Sequence, residues 1–302
     1  MTDLSLASYL GLKQVVENIL SEGHVDVNIE DESSGSALSA ACFAGQSDVV
    51  TLLLDKGANC NASHTHGTAL HASLLFNHYD IVQILLVNGA DANSEDEQLG
   101  TALYLASARE NPDSVINLLK WGAGVNLRHG DFGTALCRAS FIGSRETVQV
   151  ILKNGVDVNI QGGHGALKGT ALRTASAVGR EKTVAILLAN GADPNLSSGE
   201  EYDESAIHDA SFHGYQSIVE LLLKYGADVN LRGTALQVAS WKGHREIVAL
   251  LLDHGADITI KGEKKLWDPG GYYTHKGTAL GAATEQGHTE IMEMLAKAAA
   301  QV

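Results

Sequence analysis

The chain has 302 residues, 44% of them hydrophobic and 19% charged, with 36 Asp/Glu against 21 Lys/Arg for a net charge of −15. That hydrophobic share is too high for a disordered chain, and 3 prolines among 32 glycines make neither collagen nor a low-complexity polymer. No apolar run reaches the roughly 18 residues of a membrane span, and an acidic body repels phosphate backbones and anionic lipid, so neither membrane nor nucleic acid is an expected partner.

In chain order, one pattern recurs nine times. Gly-Thr-Ala-Leu starts at Gly67, Gly100, Gly133, Gly169, Gly233 and Gly277, with variants at Gly35 and Glu204 and a first copy entered at Thr2. The Thr or Ser anchors are Thr2, Ser36, Thr68, Thr101, Thr134, Thr170, Ser205, Thr234 and Thr278. Such a residue is a good N-cap, so each anchor predicts the start of a short helix. Leu at offset two and Ala at offset five give that helix one apolar face, Ser73 replacing the Ala once. At offset nine stands Gly11, Gly45, Gly143, Gly179, Gly214, Gly243 or Gly287, which suits a left-handed turn.

A second helix follows, with an apolar residue at offset fourteen (Val16, Val50, Val82, Val115, Val148, Val184, Val219, Val248, Met292). Its end is marked by Gly-Ala-Asp at Gly89, Gly191, Gly226 and Gly255, and at offset twenty-five comes Asn61, Asn93, Asn126, Asn159, Asn195 or Asn230. Asn28 arrives one residue late, and Thr259 takes the place once. Neither helix can bury its apolar face alone, so unit must stack on unit, an all-α solenoid forming a single domain over 1–302 with its first and last units as caps.

The stretch Gly233 to Thr259 preserves the pattern best, and it resembles the ankyrin repeat. Ala replaces that family's Pro after the anchor, and only His71 and His208 carry its following His. The resemblance implies a helix-turn-helix solenoid with β-turn or hairpin fingers between units, offset seven of the first helix facing a concave binding groove. It also implies that His78, His244 and His288 stabilise the turn between helices. Offset seven holds Tyr9, Phe43, Phe141, Phe212 and Trp241 among its nine residues, a strip of apolar anchors for a partner. The finger from Ile260 to Gly277 adds Trp267, Tyr272 and Tyr273.

The expected function is therefore a non-catalytic protein-interaction scaffold. Phe141, Phe212 and Trp241 are the expected anchors, Trp267 and Tyr272 close one end, and Arg173, His208, His213 and Gln237 supply polar contacts. The expected partner is a protein or peptide. Glu30-Asp31-Glu32, Glu95-Asp96-Glu97 and Glu200 to Glu204, if they line one rim, would steer a basic one. The alternative is a small-molecule-binding or catalytic solenoid with a pocket near units seven to nine.

No phosphate loop, metal-ligand spacing or nucleophile–base pair is found, so no cofactor, metal or catalytic residue is expected. Cys42, Cys60 and Cys137 read as free thiols of a reducing compartment, and Met1 to Leu20 shows no secretory pattern. The expectation is an intracellular monomer, cytoplasmic or nuclear.

Overall fold

The computed structural model describes residues 2–31, 35–64, 67–129, 133–163, 169–196, 205–231, 235–268 and 271–300. The anchor Thr234, Glu32 and the acidic run Glu200 to Glu204 lie outside the described residues, as do the side chains of Trp267 and Tyr272.

Nine helix pairs follow one another: α1 (Asp3–Tyr9) and α2 (Lys13–Ser21), α3 (Ala37–Ala44) and α4 (Ser47–Asp55), α5 (Ala69–Leu75) and α6 (Tyr79–Val87). Then come α7 (Ala102–Ser107) and α8 (Pro112–Lys120), α9 (Ala135–Ile142) and α10 (Arg145–Lys153), α11 (Ala171–Ala177) and α12 (Glu181–Ala189). The last are α13 (Ala206–His213) and α14 (Gln216–Lys224), α15 (Ala235–Lys242) and α16 (Arg245–Asp253), α17 (Ala279–Gln286) and α18 (Thr289–Ala299). The chain divides into two compact units, residues 1–142 with 149–156, and residues 143–148 with 157–302.

The anchors do what their chemistry dictates. Thr2, Ser36, Thr101, Thr170, Ser205 and Thr278 are extended N-caps whose hydroxyls accept the backbone N–H three residues on. Thr134 accepts from Cys137 N in the same way, at 3.2 Å. Four anchors also end a two-residue strand, so finger and helix share a residue. The antiparallel pairs are β1 (Glu30–Asp31) with β2 (Gly35–Ser36), β3 (Ser63–His64) with β4 (Gly67–Thr68), β5 (Glu95–Asp96) with β6 (Gly100–Thr101), and β7 (Arg128–His129) with β8 (Gly133–Thr134). The long finger is a larger hairpin, β9 (Gly262–Asp268) with β10 (Gly271–Gly277), in which Trp267 and Tyr272 face each other in register.

The core is a seam of small and branched side chains. Each offset-fourteen Val is fully buried, from Val16 to Val248, while Met292 in the last pair is only half-buried. At offset six, Ser107 Oγ donates to Leu103 O and Ser176 Oγ to Leu172 O, both at 2.8 Å, whereas the buried hydroxyls of Ser8, Ser140, Ser211 and Ser240 find no hydrogen-bond partner among the described residues.

Successive units are clamped by the offset-twenty-five Asn. Asn61 Nδ2 donates to Gly89 O at 3.1 Å while its Oδ1 accepts from Asp91 N at 2.8 Å. The same two bonds recur at Asn93, Asn159, Asn195 and Asn230. Asn28 makes them too, to Gly57 O and from Asn59 N, so the extra residue before it is absorbed without loss. The Asp two residues earlier closes an Asx turn on the Asn, as Asp91 Oδ1 does for Asn93 N at 2.9 Å.

Offset nine is left-handed throughout. Gly45 has φ +75, and a Cβ there would also sit 2.6 Å from the His78 ring. The two units without Gly place Asn77 at φ 64 and Glu110 at φ 54, the two non-glycine residues of positive φ among the described residues. Asn tolerates that region, whereas Glu is strained by its Cβ against the following carbonyl. Glu110→Gly should therefore raise the stability of the chain by about 0.5 kcal/mol, the relieved strain exceeding the entropy Gly adds to the unfolded state. Gly45→Ala should lower it. Urea unfolding of the two variants beside wild type measures both.

Candidate partner-binding face

The first helices set a row of side chains at offset seven, and the second helices hold that row in place. His78 Nε2 donates to Phe43 O at 3.1 Å, His244 Nε2 to Phe212 O at 3.1 Å, and His288 Nε2 to Trp241 O at 3.0 Å. Gln46 Nε2 does the same for Tyr9 O at 3.3 Å. Each turn residue thus fixes the carbonyl of a row residue one unit earlier, which joins the turn histidines to the candidate face.

In the first compact unit the row is aromatic and open to solvent. Tyr9 and Phe76 are 40% and 38% exposed. Their rings flank Phe43, at centroid distances of 6.2 and 4.0 Å. Phe76 stands at offset eight, outside the row read from the sequence, and joins it because its residue caps the C-terminus of α5. Farther along the same unit, Phe141 is half-buried, and the Arg138 guanidinium lies 5.8 Å from its ring and 5.6 Å from that of Tyr104. Burial pushes the Tyr104 hydroxyl above its ordinary range, and the Arg138 charge works against that rise.

In the second compact unit Phe212, His213 and Trp241 come together. Phe212 stacks on Trp241 at 6.5 Å and 14°, and meets the His213 ring edge-on at 5.0 Å. The Lys242 ammonium sits 4.5 Å from the Phe212 ring and 4.8 Å from Trp241. Phe212 is half-buried and His213 exposed, but Trp241 is only 8% exposed, packed with Val238 and Ala282. Trp241 thus forms the wall behind Phe212 rather than a projecting anchor.

Two expected polar contacts also point inward. His208 is 2% and Gln237 6% exposed. Gln237 Nε2 donates to Ile260 O at 2.9 Å, tying α15 to the base of the long finger. His71 at the same offset bridges to the next finger through Nε2 and Gly100 O, 3.2 Å apart, with its Nδ1 accepting from Thr68 N. Offset three therefore serves the stack. Arg173 Nε donates to Asp209 Oδ2 at 2.8 Å, with both side chains nearly buried, and His208 Nδ1 is 3.5 Å from Asp209 Oδ1. Burial raises the Asp209 carboxyl, but the His208 hydrogen bond and the Arg173 charge outweigh it and hold the group below its ordinary value.

All three thiols, Cys42, Cys60 and Cys137, are buried, and burial pushes each above the usual cysteine range, away from the thiolate that nucleophilic chemistry needs. Among the described residues no three His, Cys, Asp or Glu side chains form a metal-ligand group. An open groove of about 720 Å³ lies between α16 and α18, lined by Leu252, Ala256, Ile258, Thr259, Met294 and Ala298 among others, without a histidine or an aromatic ring. Also among the described residues, no helix is long and apolar enough to cross a membrane.

Comparison with known proteins agrees with this geometry. The family model for ankyrin repeats (3 copies) matches residues 4–96, 83–162, 103–198, 136–233 and 175–262. A 62-residue stretch is 42% identical to human BCL-6 corepressor-like protein 1, covering 20% of this chain and spanning 4% of that protein's length. The crystal structure of the ankyrin repeat domain of Bcl-3, described as a unique member of the IkappaB protein family, is similar over 71% of this chain and 97% of that one. Its TM-score is 0.62, at 27% identity.

The Arg173–Asp209 pair gives a pH signature. Because the folded carboxyl titrates below its ordinary value of 3.8, its contribution is fully present above that pH and is lost as pH falls through the folded value. Asp209→Asn should destabilise the chain by about 3 kcal/mol at pH 7, since it removes the carboxylate paired with a nearly buried guanidinium. The gap to wild type should narrow below pH 3.8. Urea unfolding of both proteins across that range measures the difference.

Proposed function

The chain belongs to the ankyrin repeat family, and from that premise we propose that it is a non-catalytic scaffold that binds a polypeptide partner on its first-helix face. The observation that carries this is the run Tyr9, Phe43 and Phe76, with the outer two rings 40% and 38% exposed and each in reach of the middle one. Apolar rings assembled on a rigid surface and left in water form the kind of patch that a partner covers. Its backbone is already fixed by Gln46 and His78, so little ordering cost accompanies binding.

In the second unit Phe212 and His213 are the corresponding contact residues, and Phe141 is one in the first. Trp241, Gln237 and the Arg173–Asp209–His208 cluster support that surface from behind. Trp267 and Tyr272, paired in register on the long hairpin, would contact the same partner from that finger. The Cys42, Cys60 and Cys137 thiols are buried and form no disulfide, which suits a reducing intracellular compartment, cytoplasmic or nuclear.

Capture from native lysate with wild type beside Phe76→Ala/Phe212→Ala tests the reading, with small-molecule extraction of the same samples. A protein held by wild type and weakened by about 2 kcal/mol or more in the variant, at unchanged helical signal, is the expected result. Equal capture by both proteins, or a co-purifying metabolite with no enriched protein, would overturn it. Trp241→Ala should instead cost about 3 kcal/mol of stability, as removal of a buried aromatic does, read from its urea midpoint.

A further inference from the structure

The charge of the chain is unevenly placed. Residues 1–100 hold 2 Lys/Arg against 14 Asp/Glu, whereas residues 101–200 hold 10 against 8. The first-helix face follows this change within the first compact unit. Its early part, through Phe76, is apolar; then the turn after α7 brings Arg109 at offset eight and α9 brings Arg138 at offset four.

Neither arginine makes a salt bridge among the described residues, and the Nε of each is shielded from water without a hydrogen-bond partner. A buried donor left unsatisfied costs about 1–3 kcal/mol, more when charged. The Arg138 guanidinium is held instead by Tyr104 and Phe141, through a side-chain hydrogen bond with Tyr104 and ring contacts at 5.6 and 5.8 Å. Such seating positions a guanidinium and leaves its remaining N–H groups for a planar anion. Ala108, next to Arg109 at offset seven, adds no bulk that would cover it.

Resting on the scaffold reading, we propose that α9 and the turn after α7 form a carboxylate-binding end of that face, and that the partner is a peptide pairing apolar side chains with an Asp or Glu. The apolar side chains cover Tyr9, Phe43 and Phe76, and the carboxylate takes the N–H groups of Arg138 and Arg109. The acidic fingers at Glu30-Asp31 and Glu95-Asp96 lie earlier in the same unit. They repel a second acidic cluster there, and so set the direction in which the peptide lies. A basic peptide, which the fingers alone would favour, would instead set its cations against two arginines that pair with no carboxylate among the described residues.

Selection of a random-peptide phage library on the immobilised full chain tests this, with the enriched peptides remeasured by fluorescence anisotropy. The expected outcome is enrichment of peptides that carry Asp or Glu beside apolar residues, with binding that weakens as salt is raised. Arg109→Gln/Arg138→Gln should weaken those peptides about tenfold or more while Arg138→Lys recovers part of the loss, since charge alone replaces the planar fork only in part. Thermal melts check that both variants fold. Enriched peptides that are neutral or basic, or acidic ones indifferent to the arginine change, would overturn the carboxylate assignment; loss of their binding in Phe76→Ala would leave the scaffold reading standing. Enrichment of nothing over bare matrix would overturn both.

Discussion

The side-chain amide of one asparagine per unit sets the terms for everything else in this molecule. Apolar burial at offset fourteen drives units together, but it is non-directional and tolerates sliding. The amide does not: Asn61 must present Nδ2 to Gly89 O and Oδ1 to Asp91 N at once, at 3.1 and 2.8 Å, which fixes both the distance and the register of the next unit. Each bond is exposed and contributes on the order of 1 kcal/mol or less. Their value is geometric, because the same pair recurs at Asn28, Asn61, Asn93, Asn159, Asn195 and Asn230 and thereby repeats the placement of one loop against the next within each compact unit. A row of aromatic rings at one offset becomes a surface only under that constraint.

The clamp column is broken at one position. At Thr259 it loses its Asn. Thr259 instead turns its hydroxyl on Asp257 Oδ1 at 2.7 Å. That bond and the one from its own N–H hold the Asp257 carboxyl below its ordinary value.

Most of this scaffold could be read from spacing, because its determinants are local or repeat at fixed offsets. The N-cap anchors, the left-handed glycines and the buried valines each follow from one residue's own conformational or solvation preference. Even the two exceptions at offset nine, Asn77 and Glu110, keep the left-handed backbone, which shows that the turn is imposed by the unit and not by the glycine. The candidate face was only partly legible. An aromatic at offset seven signals the row, but not whether the ring projects: Phe212 is half-buried whereas Trp241, one unit later, is walled in by Val238 and Ala282. His208 and Arg173 looked like polar contacts because their bond partner, Asp209, lies 36 residues beyond Arg173 in sequence. Arg138 and Phe76 were missed because each stands one helical turn or one residue away from the column being read. The i, i+3 spacing of Arg138 and Phe141 was the available signal for the first of these.

Charge on this chain acts at two ranges, and the two favour opposite partners. The 36 acidic side chains give a net charge of −15 that is felt at a distance, where it slows the approach of an acidic segment and hastens a basic one. At physiological ionic strength that field decays over about 8 Å, so it governs encounter more than the final complex. Contact is decided by groups within hydrogen-bond reach, and on α9 these include the guanidinium N–H groups of Arg138, seated on Tyr104 and Phe141. A partner carrying one or two carboxylates among apolar residues meets little long-range repulsion and gains a charge-assisted bond where it docks. A uniformly acidic partner would be turned away before reaching the arginines. The same acidic surface that looks like a lure for basic peptides therefore works as a filter on acidic ones, admitting those whose charge is sparse and placed at one end.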